Sequence, residues 1–218
     1  MLHPDLLPFL SELKENNHKD WFDAHRDRYQ SIRKTLVGFS ERLIEGVSAF
    51  DESIAGLDPS RQIFRINRDI RFSKDKSPYK TNMGLYLAKG GKNAVYGGYY
   101  VHFDPEGCFM GGGCYQPQPP ELKKLRAHID LFGKELEDIL ADERFKEVYG
   151  ELRGEQLRNM PKEYDKDHPQ AHLLKFKSFF VSCPIDATHL GQEDFAGEIA
   201  DTFEVMYPLL RFLNEGLD

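Results

Sequence analysis

Apolar residues spaced three and four positions apart predict that helices make up both ends of the chain. In residues 19–50 Gly38 and Gly46 weaken the predicted helix. This stretch is therefore one long helix or two in line, and we expect any break near one of these glycines. The stretches with helical spacing are residues 4–15, 19–50, 121–142 and 192–217.

The middle of the chain instead alternates between apolar and polar residues, which is typical of strands with one buried face. Residues 81–88, 96–103 and 108–115 are three such strands, separated by turns rich in glycine, asparagine and proline. A later strand is expected at 176–183, closed by Pro184. Helices at both ends around a central antiparallel meander predict one α+β domain over residues 1–218.

One segment, residues 61–80, has a charge that differs from the rest of the chain. It carries seven basic residues and two acidic ones, whereas the whole chain has a net charge of −7 at pH 7. Its apolar residues alternate from Phe64 to Phe72, which predicts a half-buried strand followed by a loop at 73–78. Arg68 falls on the apolar side, so it marks a bulge or a buried cation that requires a partner.

Such a concentration of cations has two explanations. Cations that share one face of a strand, as Arg65 and Arg71 would, repel one another unless anions lie between them, and a phosphate or carboxylate ligand would supply those anions. Alternatively, the 36 acidic residues of the chain neutralise the segment through structural ion pairs. In the ligand hypothesis Arg65, Arg68 and Arg71 clamp the anion. The residues that close over it from the loop are Lys74, Lys76, Tyr79 and Lys80.

The strand predicted at residues 96–103 adds a titratable group to this hypothesis. Tyr99, Val101 and Phe103 share one face, which we expect to be the core, whereas Tyr100 and His102 share the other. We expect that second face to be the one that bears Arg65 and Arg71. His102 is then the candidate for proton transfer, and Tyr100 becomes a ligand contact. The alternative is a half-exposed histidine without a catalytic role.

No cofactor or metal site is predicted. The loop at 73–77 lacks the spacing of a phosphate-binding P-loop, and Gly111–Gly113 carries no dinucleotide fingerprint, so it indicates a bulge or a close crossing of backbones. His168 and His172 are four apart, but Pro169 interrupts the segment and the spacing alone is unspecific.

The cysteines and the hydropathy bear on where the protein resides. The three cysteines, at 108, 114 and 183, are odd in number and form no CxxC pair, which favours a reducing compartment. The first residues lack the features of a secretory signal peptide, and no stretch is long and apolar enough to span a membrane. The chain is therefore expected to be cytoplasmic and to have no membrane partner.

Four segments of the sequence carry a resemblance to a known family. The longest is RINRDIRFSKDKSPYKTN at 65–82. The others are NNxKDWF at 16–22, GGGCYQP at 111–117 and PLLRFLN at 208–214. In these segments the chain resembles the bacterial and fungal family DUF2461, a domain of unknown function. The resemblance implies that the whole chain is one such domain, and it implies no activity, cofactor or catalytic residue.

Three functions follow from these patterns. The first is binding of an anionic small molecule at the basic segment, with or without catalysis. The second is a nucleic-acid module that uses the same cations with tyrosines as stacking surfaces, against which the acidic remainder of the chain argues. The third is a scaffold or partner-binding domain in which the arginines are structural.

Overall fold

The computed structural model describes residues 1–218. Eight helices and four strands are present, together with two short 3₁₀ turns at Glu52–Ile54 and Ala187–His189. The helices are α1 (Leu6–Glu15), α2 (Lys19–Ala24), α3 (Arg26–Ser48), α4 (Pro59–Gln62), α5 (Pro119–Ala141), α6 (Glu143–Tyr149), α7 (Ala171–Leu174) and α8 (Phe195–Glu215). The strands are β1 (Met83–Ala88), β2 (Gly98–Phe103), β3 (Cys108–Cys114) and β4 (Phe179–Ile185).

The strands form one sheet in the order β1-β2-β3-β4, and every neighbouring pair is antiparallel. The predicted α+β class and the central meander are therefore confirmed. β4 follows a long helical excursion of the chain and pairs with β3 over seven residues. Pro184 lies inside β4 rather than closing it, which is compatible with the outer position of this strand because an edge strand has ladder positions that need no amide donor.

One face of the sheet carries the core. Val101 and Phe103 are fully buried there, and Phe103 meets Phe39 of α3 with ring centroids 5.9 Å apart. Helices α3 and α8 cover this face and cross closely, since a side chain at Gly46 would collide with Ala200. α5 packs against α8.

The N-terminal helices are broken at a different place from the one expected. α2 ends and α3 begins at His25, not near Gly38 or Gly46, both of which lie within α3. His25 Nδ1 bonds the Trp21 carbonyl oxygen at 2.8 Å, and its ring stacks on the indole at 4.0 Å. A local side-chain bond of this kind competes with the helix ladder and explains the break.

The basic segment does not form the predicted strand at 64–72. Only isolated β-bridges occur in this segment, between Ile63 and Leu85 and between Asn67 and Tyr79. Residues 68–78, which connect Asn67 to Tyr79, form a loop. Asp75 accepts bonds from the amide and the hydroxyl of Ser77, and such Asp-centred turns satisfy the backbone without a strand partner. Phe72, expected on a buried face, is 95% exposed.

No helix has the combination of length and apolar character needed to cross a bilayer.

Candidate functional site

The second face of the sheet is the floor of an open groove of about 1420 Å³. The strand register places its side chains in three rows that run from β1 to β4. Each row combines bulky residues with glycine, serine or alanine, so over much of the floor no large side chain rises above the sheet backbone. The rows are Ala88–Gly98–Gly113–Phe180, Tyr86–Tyr100–Gly111–Ser182 and Gly84–His102–Phe109–Pro184.

Two tyrosine rings lie across glycines of this floor. A Cβ at Gly98 would lie 2.9 Å from Cζ of Tyr86, and a Cβ at Gly84 would lie 2.9 Å from the hydroxyl of Tyr100. The glycines therefore allow each ring to approach the backbone of the sheet closely. The result is a partly aromatic floor that offers ring faces to the groove.

His102 lies in the third row and forms a hydrogen-bonded pair with Tyr100. The tyrosine hydroxyl is 2.7 Å from Nδ1, Asp104 Oδ2 is 3.8 Å from Nε2, and Phe109 stacks on the imidazole at 4.6 Å. Burial lowers the pKa of His102 despite the opposing charge of Asp104, and burial raises the pKa of Tyr100 to about 12. Both shifts favour the neutral pair, in which the hydroxyl donates to Nδ1. The pair has the geometry for moving a proton within the groove.

Two lysines form the rim of the groove at β1. Lys80 and Lys92 place their ammonium nitrogens 5.4 and 5.6 Å from the ring centroid of Phe64, which leans edge-on against Tyr100. Lys92 also donates to the carbonyl of Ile63 at 2.7 Å. Burial, followed by the charges of Arg65 and Lys92, lowers the pKa of Lys80. Neither lysine forms an ion pair with a carboxylate.

Two arginines of the basic segment, Arg68 and Arg71, are bound to carboxylates. Arg68 lines the groove but is bound to Asp75 and to the Ser77 carbonyl oxygen. Arg71 lies outside the groove, exposed, and pairs with Asp69. Both explanations for the segment's charge therefore have a counterpart in the structure: internal carboxylates hold these two arginines, while the lysines of the rim have no such partner.

The remaining candidates from the basic segment lie outside the groove. Arg65 is exposed and close enough to Lys80 to influence its charge. Lys74 is exposed, and Lys76 donates to the carbonyl of Ile70 at 2.9 Å. Tyr79 is buried in the core, where it stacks on Phe22 at 4.0 Å. Since the predicted strand is absent, Arg65 and Arg71 do not share a sheet face with Tyr100 and His102.

The far end of the groove is formed by the residues after β3 and by the edge beside β4. Gln116 has a left-handed backbone with φ of 49°, held by a bond from its amide to the Ser178 hydroxyl at 3.0 Å. Such strain in a non-glycine residue is common at functional sites. Arg153 borders β4 and donates to the Ser182 hydroxyl at 3.0 Å. Glu121, in the first turn of α5, also lines the groove.

Several groove residues were not singled out by the sequence pattern. Tyr86 could have been found, because strand alternation and an antiparallel register place it opposite Tyr100. Lys92, Glu121 and Arg153 lie in a turn, at a helix start and in an irregular segment, and only tertiary packing brings them to one groove.

Comparison with known proteins gives a family and nothing further. Searches of the curated proteins and of the solved structures find no match. The family model described as "Conserved hypothetical protein (DUF2461)" matches residues 5–212, which includes every strand and nearly all of the groove's surroundings. The chain therefore belongs to the DUF2461 family, as its four characteristic segments indicated.

Proposed function

We propose that the groove binds a small molecule carrying a phosphate or carboxylate group. The observation that carries this proposal is the pair of rim lysines, Lys80 and Lys92, which share the ring of Phe64 and have no carboxylate partner. Two arginines of the basic segment are instead bound to acidic side chains, Arg68 to Asp75 and Arg71 to Asp69.

The charge of the rim favours an anion over a neutral ligand. Burial and neighbouring cations lower the pKa values of Lys80 and Lys92, so the charged forms of both are disfavoured in the free protein. A bound anion would reverse that cost, because an opposite charge within a few ångströms stabilises the ammonium form. Arg68 borders the same groove and provides a further donor if its link to Asp75 opens.

A thermal-shift screen at low salt tests the proposal. The compounds are phosphate, sugar phosphates, nucleotides and carboxylates, each measured on the wild type and on Lys80→Gln and Lys92→Gln. A ligand at about 100 times its Kd stabilises by roughly 2.7 kcal/mol, or about 5–10 °C for a chain of this size.

The matched control is Lys166→Gln, which removes an exposed lysine that does not line the groove. We expect the ligand shift to persist in the control and to shrink in the two rim variants. Equal shifts in all four proteins would contradict the proposal, as would the absence of a shift with every anion.

A second function, proton transfer, is supported by the 2.7 Å contact between the Tyr100 hydroxyl and His102 Nδ1. We infer that these two residues act as an acid–base pair on a ligand held at the rim. Hydrolysis of aryl phosphates and aryl esters is the first assay. Turnover that falls in both Tyr100→Phe and His102→Gln supports the inference, and turnover that survives both changes contradicts it.

We also propose that the protein works in a reducing compartment such as the cytoplasm. All three cysteines are free, and burial raises the pKa of each thiol, which disfavours thiolate chemistry. Mass measurement of the protein alkylated in denaturant without reduction, directly after cell lysis, should find three modified thiols.

A further inference from the structure

The groove has unpaired ammonium groups at one end, and at the other end an unpaired carboxylate beside Arg153, which donates to the Ser182 hydroxyl. At the β1 rim, Lys80 and Lys92 present positive charge without acidic partners. At the end beyond β3, Glu121 presents a carboxylate that forms no ion pair, and its Oε2 is shielded from water with no hydrogen-bond donor. A desolvated carboxylate oxygen without a donor is costly, so a ligand that supplies N–H groups would be favoured there.

The floor between these ends suits a flat ring. The ring of Tyr86 lies over Gly98, and its hydroxyl contacts the carbonyl oxygens of Tyr96 and Gly113 at 3.2 and 3.4 Å. Gly111 and Gly113 contribute no side chains next to it, so the floor remains low as far as Phe180 and Ser182 on β4. An aromatic ligand could stack on this surface, and stacking on aromatic side chains is tolerant of the identity of the base.

We propose that the ligand is a purine nucleoside monophosphate with the base toward Glu121 and the phosphate at Lys80 and Lys92. This rests on the proposed function and names the class of molecule for the same groove. Four strands about 4.8 Å apart span about 14 Å from edge to edge, a separation comparable with the length of a nucleotide.

The carboxylate further selects among purines. Guanine presents two adjacent N–H donors on its Watson–Crick edge, which match the two oxygens of one carboxylate, whereas adenine presents an acceptor at the corresponding ring position. A well-placed bidentate contact discriminates between bases by about tenfold or more. GMP is therefore expected to bind more tightly than AMP.

Isothermal titration of the full chain with GMP, AMP, guanosine, a sugar phosphate, inorganic phosphate and a short single-stranded oligonucleotide tests this proposal. The informative variant is Glu121→Gln, and the matched control is Glu143→Gln, which removes a glutamate from the first turn of α6 outside the groove. Thermal unfolding of both variants without ligand shows whether they fold. In the wild type and the control, we expect GMP to bind about tenfold more tightly than AMP, and guanosine to bind more weakly than GMP.

The variants separate the two ends of the ligand. In Glu121→Gln the preference for GMP should disappear while AMP binding remains, and in Lys80→Gln both nucleotides should weaken. Equal affinity of the wild type for GMP and AMP, or a preference that survives Glu121→Gln, would overturn the proposal.

Other outcomes distinguish a failure of the nucleotide proposal from a failure of the proposed anion binding. Binding of phosphate or a sugar phosphate without binding of nucleotides would overturn the nucleotide and leave an anion site. No binding of any anion would overturn both. A short single-stranded oligonucleotide that binds more tightly than GMP, with affinity falling steeply as salt rises, would assign the groove to nucleic acid instead.

Discussion

Two consecutive residues, Tyr99 and Tyr100, show how differently the two faces of the sheet are built. Tyr99 points into the core, is fully buried, and donates its hydroxyl hydrogen to the buried carboxylate of Asp51 at 2.9 Å. Tyr100 points into the groove, is partly exposed, and contacts a histidine that titrates. The same strand therefore contributes a satisfied, packed face and a face whose polar groups remain available to a ligand.

This difference separates the face that stabilises the fold from the face at which we propose that a ligand binds. The covered face is closed by α3 and α8, and its rings meet other rings, as Tyr99 meets Phe203 at 5.0 Å. The open face combines aromatic rings with the glycines that they cover, and its two rim lysines form no ion pair. Changes on the first face should affect folding, and changes on the second should affect ligands.

The largest contrast is expected between two phenylalanines. Phe103→Ala empties a fully buried site against Phe39 and should lower the free energy of unfolding by about 3–5 kcal/mol. Phe109→Ala removes a partly exposed ring from the groove and should cost about 1–2 kcal/mol, because less apolar area is lost from the folded state. Urea unfolding of both variants measures the difference, and equal costs would mean that the groove face is as important to stability as the core.

A glycine substitution tests how tightly β1 and β2 pack at Gly98 in the groove floor. A Cβ at Gly98 would lie 2.2 Å from the Leu87 carbonyl oxygen and 2.7 Å from the Ala88 side chain, so Gly98→Ala should destabilise by about 1–3 kcal/mol. Gly107→Ala, in the turn before β3, meets nothing within 4 Å and is the control. Thermal unfolding of the pair should separate them, and an unchanged melting temperature for Gly98→Ala would contradict the tight floor.

Removing a single hydroxyl from each tyrosine gives a smaller contrast. Tyr99→Phe leaves the buried carboxylate of Asp51 without its tyrosine donor and should cost about 1–3 kcal/mol. Tyr100→Phe removes a donor from a partly exposed histidine that water can still reach, and about 0.5–1 kcal/mol is expected. Chemical denaturation of the two variants gives both values. A larger loss in Tyr100→Phe would reverse the assignment of the two faces.

The sequence allowed one part of this comparison to be predicted and not the other. Alternation in 96–103 correctly assigned Tyr99 and Tyr100 to opposite faces, because side-chain direction in a strand follows from the period of two. The same alternation in 64–72 was misleading, because only residues 66–68 pair, with residues 78–80 of the same segment, and the Asp75 turn lies in the loop between them. Lys92 and Glu121 line the same groove only because of how the loops and α5 pack in the folded chain. A local sequence pattern carries no information about that packing.

The smallest effect concerns the protonation of His102. Because burial lowers its pKa in the folded chain below the ordinary value of 6.5, the unfolded chain takes up this proton first as the pH falls. Stability therefore decreases as the pH drops from about 6.5 through the folded pKa, and this contribution is constant above about pH 7.5. Urea unfolding between pH 5 and 8 should show the wild type losing stability relative to His102→Gln toward acid. The opposite slope would mean that Asp104 stabilises the imidazolium more than burial opposes it, and the pair with Tyr100 would then be charged rather than neutral near pH 6.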